Sequence, residues 1–382
     1  MKLRYISFIT AAAVMLSPCT AHGYQAEGQT ELSAETADLT ESYSSLISNE
    51  YDESLETLTF EKAQEKALRN NTSLLNLSAS MKLAEDELEV SYLEASADSG
   101  EDFSSLISFL NSKGSYENNE ISKVAQEESV KHSMKESYIN IIESQREIAL
   151  AELSLKKDEM NLTLSKAKLS NGKISQSEFD SLELSYNNAK KQLENKKEEL
   201  ELDYVSLNIL IGEKDLTKRY NFVMEAVYEP LELNMPVESY INGKTAAANS
   251  VKQAKKSYET TKQTSKLTPL NSSSINGYQS AQNSLNSAEM SYEDTKENVY
   301  KSLYQKYNSI IQNEKDYDSG TAELKLLRDE FERTQVKFLN GETSKYELIT
   351  AEYSLAEKEN TLLSGVYQHM LLKEELTNTD LM

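Results

Sequence analysis

The chain's three histidines, His22, His132 and His369, stand far apart in the sequence, and Cys19 is its single cysteine. No Cys/His pattern has metal-ligand spacing, and one cysteine permits no intrachain disulfide. A glycine-rich phosphate loop and a nucleophile elbow are both missing. Carboxylates are plentiful, with 63 Asp and Glu. Pairs of them arise on any acidic helix, so pairing alone carries no catalytic information. No residue set reads as an enzyme, a metal site or a cofactor site.

Two turns stand out because they occur twice. Asn171-Gly172-Lys173 lies within Lys168–Ser175, and Asn340-Gly341-Glu342 lies within Lys337–Ser344. Gly341 follows Gly172 by 169 residues, and the same offset holds on both sides without a gap. It aligns Val130 with Val299, Tyr138 with Tyr307 and Ile141-Ile142 with Ile310-Ile311 before the turns. Beyond them it aligns Glu178 with Glu347, Ser185 with Ser354 and Leu193 with Leu362. So long a register reads as an internal duplication.

The elements that hold these turns are legible from spacing. Met134, Ile141, Ile148, Leu155, Leu162 and Leu169 lie seven apart. Leu303, Ile310, Tyr317, Leu324, Phe331 and Phe338 repeat the stripe, and Phe179, Tyr186, Leu193, Leu200 and Leu207 form another beyond the first turn. A strict heptad keeps one seam against a partner helix. Gly172 and Gly341 can take the left-handed conformation that ends one helix before a Ser-capped start of the next. The expected fold is all-α: two long antiparallel coiled-coil hairpins from an internal duplication. A single hairpin this thin cannot bury itself, so its sister hairpin and further chains must cover it.

Composition agrees with long soluble rods. The mean hydropathy is -0.61, and the chain has 4 Pro, none between Pro18 and Pro230. A net charge of -23 argues against nucleic acid or an anionic membrane surface as the main partner. Residues 1–23 read as a signal peptide, with Lys2 and Arg4 ahead of the apolar run Ile6–Leu16. Leu16-Ser17-Pro18-Cys19 resembles a lipoprotein box, but Pro18 stands where a small residue is expected, which favours ordinary cleavage. Residues 24–56 read as a disordered acidic lead-in.

A first repeat is expected over 57–212, a linker over 213–236, a second repeat over 237–376 and a tail over 377–382. Thr59 is expected to cap the first helix, and a second helix to cover about Ser73–Ala95. Ser99-Gly100, Lys113-Gly114, Leu267-Thr268-Pro269 and Ile275-Asn276-Gly277 read as helix breaks, with one uninterrupted helix from Val237 to about Ser265.

Together these features resemble the TolC family of outer-membrane efflux proteins. The opening Leu58-Thr59-Phe60-Glu61-Lys62-Ala63 through Asn70-Asn71 is similar to that family's entry motif, with Thr72 where proline is usual. The resemblance covers about Leu58 to Glu375. It implies a homo-oligomer, a trimer in that family. It also implies tips at Asn171, Gly172, Lys173, Asn340, Gly341 and Glu342 that contact a membrane-fusion adaptor. Behind the adaptor would stand an inner-membrane efflux pump or ABC transporter.

Glu347 falls at the family's first pore-constriction carboxylate, and Glu178 matches its acidic partner. Thr350 replaces the second carboxylate, and Thr343 and Phe338 replace the Arg and Tyr that lock the closed tunnel. Membrane strands would enter at Ser96–Ser115 and Leu270–Tyr278, windows too short or too irregular for them, so the expected form lacks the membrane β-barrel. Such a form would suit the envelope of a cell without an outer membrane. The competing readings are a structural coiled-coil envelope protein and, less compatible with two hairpins, an adaptor of the membrane-fusion type.

Overall fold

A computed structural model describes residues 54–97, 103–223, 226, 228–271 and 275–382. The signal peptide and most of the acidic lead-in lie outside the described residues, as do Ser99 and Gly100. The described residues run β1 (Thr57–Thr59), α1 (Phe60–Asn70), α2 (Thr72–Ala97), α3 (Ser104–Ser170), α4 (Gln176–Leu210) and β2 (Asn221–Val223). The second half follows as α5 (Val237–Ala247), α6 (Asn249–Asn271), α7 (Ile275–Leu339) and α8 (Lys345–Thr377), with a closing 3-10 turn at Thr379–Leu381. α3 has 67 residues and α7 has 65. At 1.5 Å per residue each is about 100 Å long.

The expected hairpins are present. α3 turns into α4 at Gly172 and α7 into α8 at Gly341, with φ of 64° and 75°. The heptad seams are buried at their inner ends: Met134, Ile141, Leu207, Leu303 and Ile310 are fully covered. Toward the tips the same seams are only half-buried.

Packing gives a layer rather than a bundle. On the tip side the order is α4–α3–α8–α7, each helix packing on its neighbours; at the other end it is α2–α3–α6–α7. α3 belongs to both rows and so does α7. No extensive packing joins the outer helices to each other, so the layer has two open edges.

Sequence and structure differ at several places. Gly114 is inside α3, not at a break. A Cβ there would lie 2.6 Å from Thr260 Oγ1, so the glycine serves the close approach of α3 and α6. Pro269 sits within the last turn of α6, where the hydrogen bond lost with its N–H disturbs only a helix that stops two residues later, and Gly277 lies within α7. A further break, inside the stretch expected to be one helix from Val237 to about Ser265, falls at Ala248, whose φ of -62° and ψ of 138° separate α5 from α6. Asn71 does the same between α1 and α2, with φ of -70° and ψ of 113°. Both halves thus open with a short helix, one extended residue and a longer helix.

The described residues of the windows expected to be irregular are helical apart from Phe103; the helices stop and restart at Ala97 and Ser104, and at Asn271 and Ile275. A membrane strand needs about 9–11 residues. Neither connection can hold a pair of them.

The link after Gly212 contains β2, which pairs in parallel with β1. Tyr138 explains that pairing. It meets Phe222 edge-on at 4.8 Å and Phe60 at 5.9 Å between ring centroids, and its hydroxyl donates to Leu58 O at 2.9 Å. Order also begins earlier than expected, since Leu55 O accepts from Asn221 Nδ2 at 3.2 Å and Glu56 pairs with Lys218 at 2.9 Å. The tail packs as well, with Ser250 N donating to Met382 O at 2.8 Å.

Candidate functional site: the hairpin tips and the layer edges

Each tip is built by the same two devices. In the first, Gly172 N donates to Leu169 O and Lys173 N to Lys168 O, at 2.9 and 2.8 Å. In the second, Gly341 N donates to Phe338 O and Glu342 N to Lys337 O at the same distances. These bonds satisfy the last carbonyls of α3 and α7, and the positive φ needed between them falls on glycine. Nothing lies within 4 Å of where a Cβ would stand at either glycine. Asn171, Gly172, Lys173, Asn340, Gly341 and Glu342 are all exposed.

Glu178 and Glu347 lie one turn into the following helices, and the structure assigns both a local task. Ser175 Oγ accepts from Glu178 N at 3.2 Å while Glu178 Oε2 accepts from Ser175 N at 2.7 Å. Ser344 and Glu347 repeat the exchange at 3.2 and 3.0 Å, and Thr343 also donates to Glu347. These are capping boxes, closing donors that the first turn of a helix leaves open. The bonds from the serine backbone and from the Ser and Thr hydroxyls hold both carboxyls below the usual carboxylate range. The charge at each tip therefore persists well into acid.

A groove below the second tip is lined by Thr334, Lys337, Thr343, Tyr346, Glu347 and Thr350. Phe338 is half-buried and takes no part in it. Glu178 belongs to the other hairpin and is not among the residues lining this groove.

Between the hairpins, α3 and α8 trap polar groups. Arg146 is buried and donates to Asn360 Oδ1 at 3.1 Å. Burial pushes the Glu143 and Glu352 carboxyls up. A raised folded-state pKa means stability that is complete below the unfolded value, about 4.3, and lost as pH rises through the folded one. Glu352→Gln removes the charge while keeping the shape. The variant should melt above the native chain at pH 8 and level with it at pH 4. Thermal melts at the two pH values check this, and an equal gain at both would contradict it.

The edges are the second candidate surface. On α4 the seam residues Leu193, Leu200 and Leu207 face α3. Leu184, Leu202 and Ile209 stand two positions from seam residues, about 200° round the helix, and are 62%, 65% and 63% exposed. On α7, Leu326 and Val336 bear the same relation to Leu324 and Phe338 and are 67% and 57% exposed. Heptads alone mark the buried seam. These outward apolar positions could have been found by asking which apolar residues the seam leaves out.

Sequence spacing also missed a convergence of possible metal ligands. His132 and Glu136 are one turn apart on α3, and Glu375 comes from α8, 243 residues away from His132. Their ligand atoms lie within 4.8 Å of one another. The hydrogen bond from His132, with Lys306 beside it, pulls the Glu375 carboxyl down to about 2.

Among known proteins, no family model and no curated protein matches the chain by sequence. Solved structures do match by fold. The channel protein CusC, studied for conformational changes accompanying folding and transmembrane channel formation, aligns with a TM-score of 0.64 at 13% identity, over 85% of this chain and 92% of its own. The outer membrane protein VceC from Vibrio cholerae aligns at 0.58 and 12%, over 84% and 96%. The MtrE outer membrane channel of Neisseria gonorrhoeae, in its open state, aligns at 0.57 and 14%, over 84% and 88%. The chain has the TolC-like helical-hairpin fold of these channels.

Proposed function

We propose that this chain is the conduit of an export system of the cell envelope. Copies close edge to edge into an α-helical tube, three of them as in TolC-family channels, and cargo passes along its axis. A membrane-fusion adaptor meets Asn171, Gly172, Lys173, Asn340, Gly341 and Glu342, and an inner-membrane efflux pump or ABC transporter drives the traffic. The observation that carries this reading is the open single layer. Its two unlike edges, α2 with α4 on one side and α7 on the other, both present apolar side chains away from their own seams. An edge that fits a different edge makes a head-to-tail contact, and such contacts generate rings when the rotation closes. The channel folds that align over most of the chain support the same reading.

The test is the mass of the exported chain in solution, by light scattering at micromolar concentration. A closed oligomer is expected. A monomer would favour a structural coiled-coil protein of the envelope instead.

Within this proposal Glu178 and Glu347 line the narrow end of the tube. A ring of carboxylates at a constriction favours cations. Charge reversal to lysine would also remove each capping box, so glutamine is the cleaner change: its side-chain oxygen can still accept the serine N–H. Glu347→Gln in the assembled oligomer should lower cation selectivity in reversal-potential recordings while helix content stays unchanged. Unaltered selectivity in the Glu178→Gln/Glu347→Gln double variant would remove both residues from the constriction.

A further inference from the structure

We infer that His132, Glu136 and Glu375 form a site for a divalent transition metal of the zinc class, placed where the first repeat is fastened to the second. The argument starts from one nitrogen. His132 Nε2 stands 3.1 Å from Glu375 Oε1 and 3.5 Å from Glu136 Oε1. A ring nitrogen carries a single hydrogen, which Glu375 takes; the second carboxylate approaches the same atom beyond hydrogen-bond length. Two carboxylate oxygens converging on one nitrogen serve a proton poorly. They serve a metal ion well, since the ion replaces the proton and takes all three groups at once.

The distances agree. Zinc bound at about 2.0–2.1 Å in a tetrahedral shell holds neighbouring ligand atoms about 3.3 Å apart, between the two separations seen here. The two carboxylate oxygens, within 4.8 Å of each other, have to close by at most about 1.5 Å.

The surroundings fit such an ion. The His132 side chain is 12% exposed, so packing sets the ring's direction, and its Nδ1 has no hydrogen-bond partner among the described residues. The ring is thus aimed by its fit and by the two carboxylates alone. Glu375 Oε2 is held by Lys306 at 2.9 Å, an outer contact that fixes the ligating oxygen without occupying it. Lys135 and Glu374 neutralise each other beside it at 2.5 Å. Glu136 is 47% exposed, which leaves an open side for entry and for a water as fourth ligand. One imidazole and two carboxylates suit Zn(II), Co(II) or Ni(II); Ca(II) and Mg(II) call for more oxygens than the site offers. The ligands come from α3 and α8, so the ion would cross-link the repeats.

The experiment is calorimetric titration of the full exported chain with zinc chloride, in excess magnesium to occupy ordinary surface carboxylates. One zinc per chain is expected, with a raised melting temperature and, for cobalt, the visible spectrum of a four-coordinate ion. His132→Gln should abolish the strong step. Glu136→Gln, at an exposed position, should weaken binding at least about tenfold while the metal-free melting temperature stays put. Zinc binding that survives both substitutions, or no strong step in the native chain, would overturn the site.

Discussion

If copies close into the proposed tube, a chain carrying Leu202→Asp and Ile209→Asp is expected to remain monomeric at concentrations where the native chain assembles. Both side chains stand on the face of α4 turned away from α3 and are more than three-fifths exposed, so the isolated protomer should lose nothing when they become polar. In the tube they would meet α7 of the next copy, where Leu326 and Val336 point outward. A carboxylate placed in an apolar contact without a partner is expelled or protonated at a cost of several kcal/mol. The contact recurs in every protomer, so the penalty multiplies around the ring. Sedimentation velocity reads the outcome, and circular dichroism confirms that the helices are intact. If the double variant still assembles, the edge assignment is wrong.

Gly212→Ala should destabilise the fold by about 3 kcal/mol, several times the effect of Gly172→Ala or Gly341→Ala. All three glycines have positive φ, with Gly212 at 68°. A methyl group on Gly172 or Gly341 meets open space, leaving only the backbone strain of about 1 kcal/mol. On Gly212 it would come within 2.6 Å of Asn70 Cβ and Cγ. Asn70 cannot retreat freely, because its Nδ2 donates to Ile211 O at 2.7 Å and so ties α1 to the end of α4. Urea unfolding of the three variants ranks them, and equal losses would show that Asn70 moves aside easily.

The same comparison shows what the sequence could reveal. Met134, Ile141, Leu303 and Ile310 were readable as core because a heptad places them on one line whatever surrounds it. Gly172 and Gly341 were readable because a turn between antiparallel helices needs a positive φ and little else. Gly114 and Pro269 look alike to a reader of breakers, and both lie inside helices. The first answers to Thr260 on another helix, and the second sits two residues from a helix end, where little helix remains to be disrupted. Ala248 breaks a helix although alanine favours one, which no local propensity foretells.

The β1–β2 pair depends on the ring of Tyr138, about 80 residues from either strand's centre. His132 and Glu375 meet only because two repeats fold side by side. Glu178 and Glu347 show the opposite case: the Ser-x-x-Glu pattern at each helix start spells a capping box from local sequence alone.

α3 runs without interruption from the far end of the layer to the first tip. It is gripped in the middle, where Tyr138 lies among aromatic rings and Lys135 meets Glu374. A stiff rod held at mid-length is a lever. From Tyr138 to Ser170 it spans about 48 Å, so turning it by about 5° at the grip sweeps the tip about 4 Å. The far arm swings the opposite way by a similar amount. Because α3 packs on α4 and α8 toward the tip and on α2 and α6 at the far end, such a turn would carry both rows of helices with it.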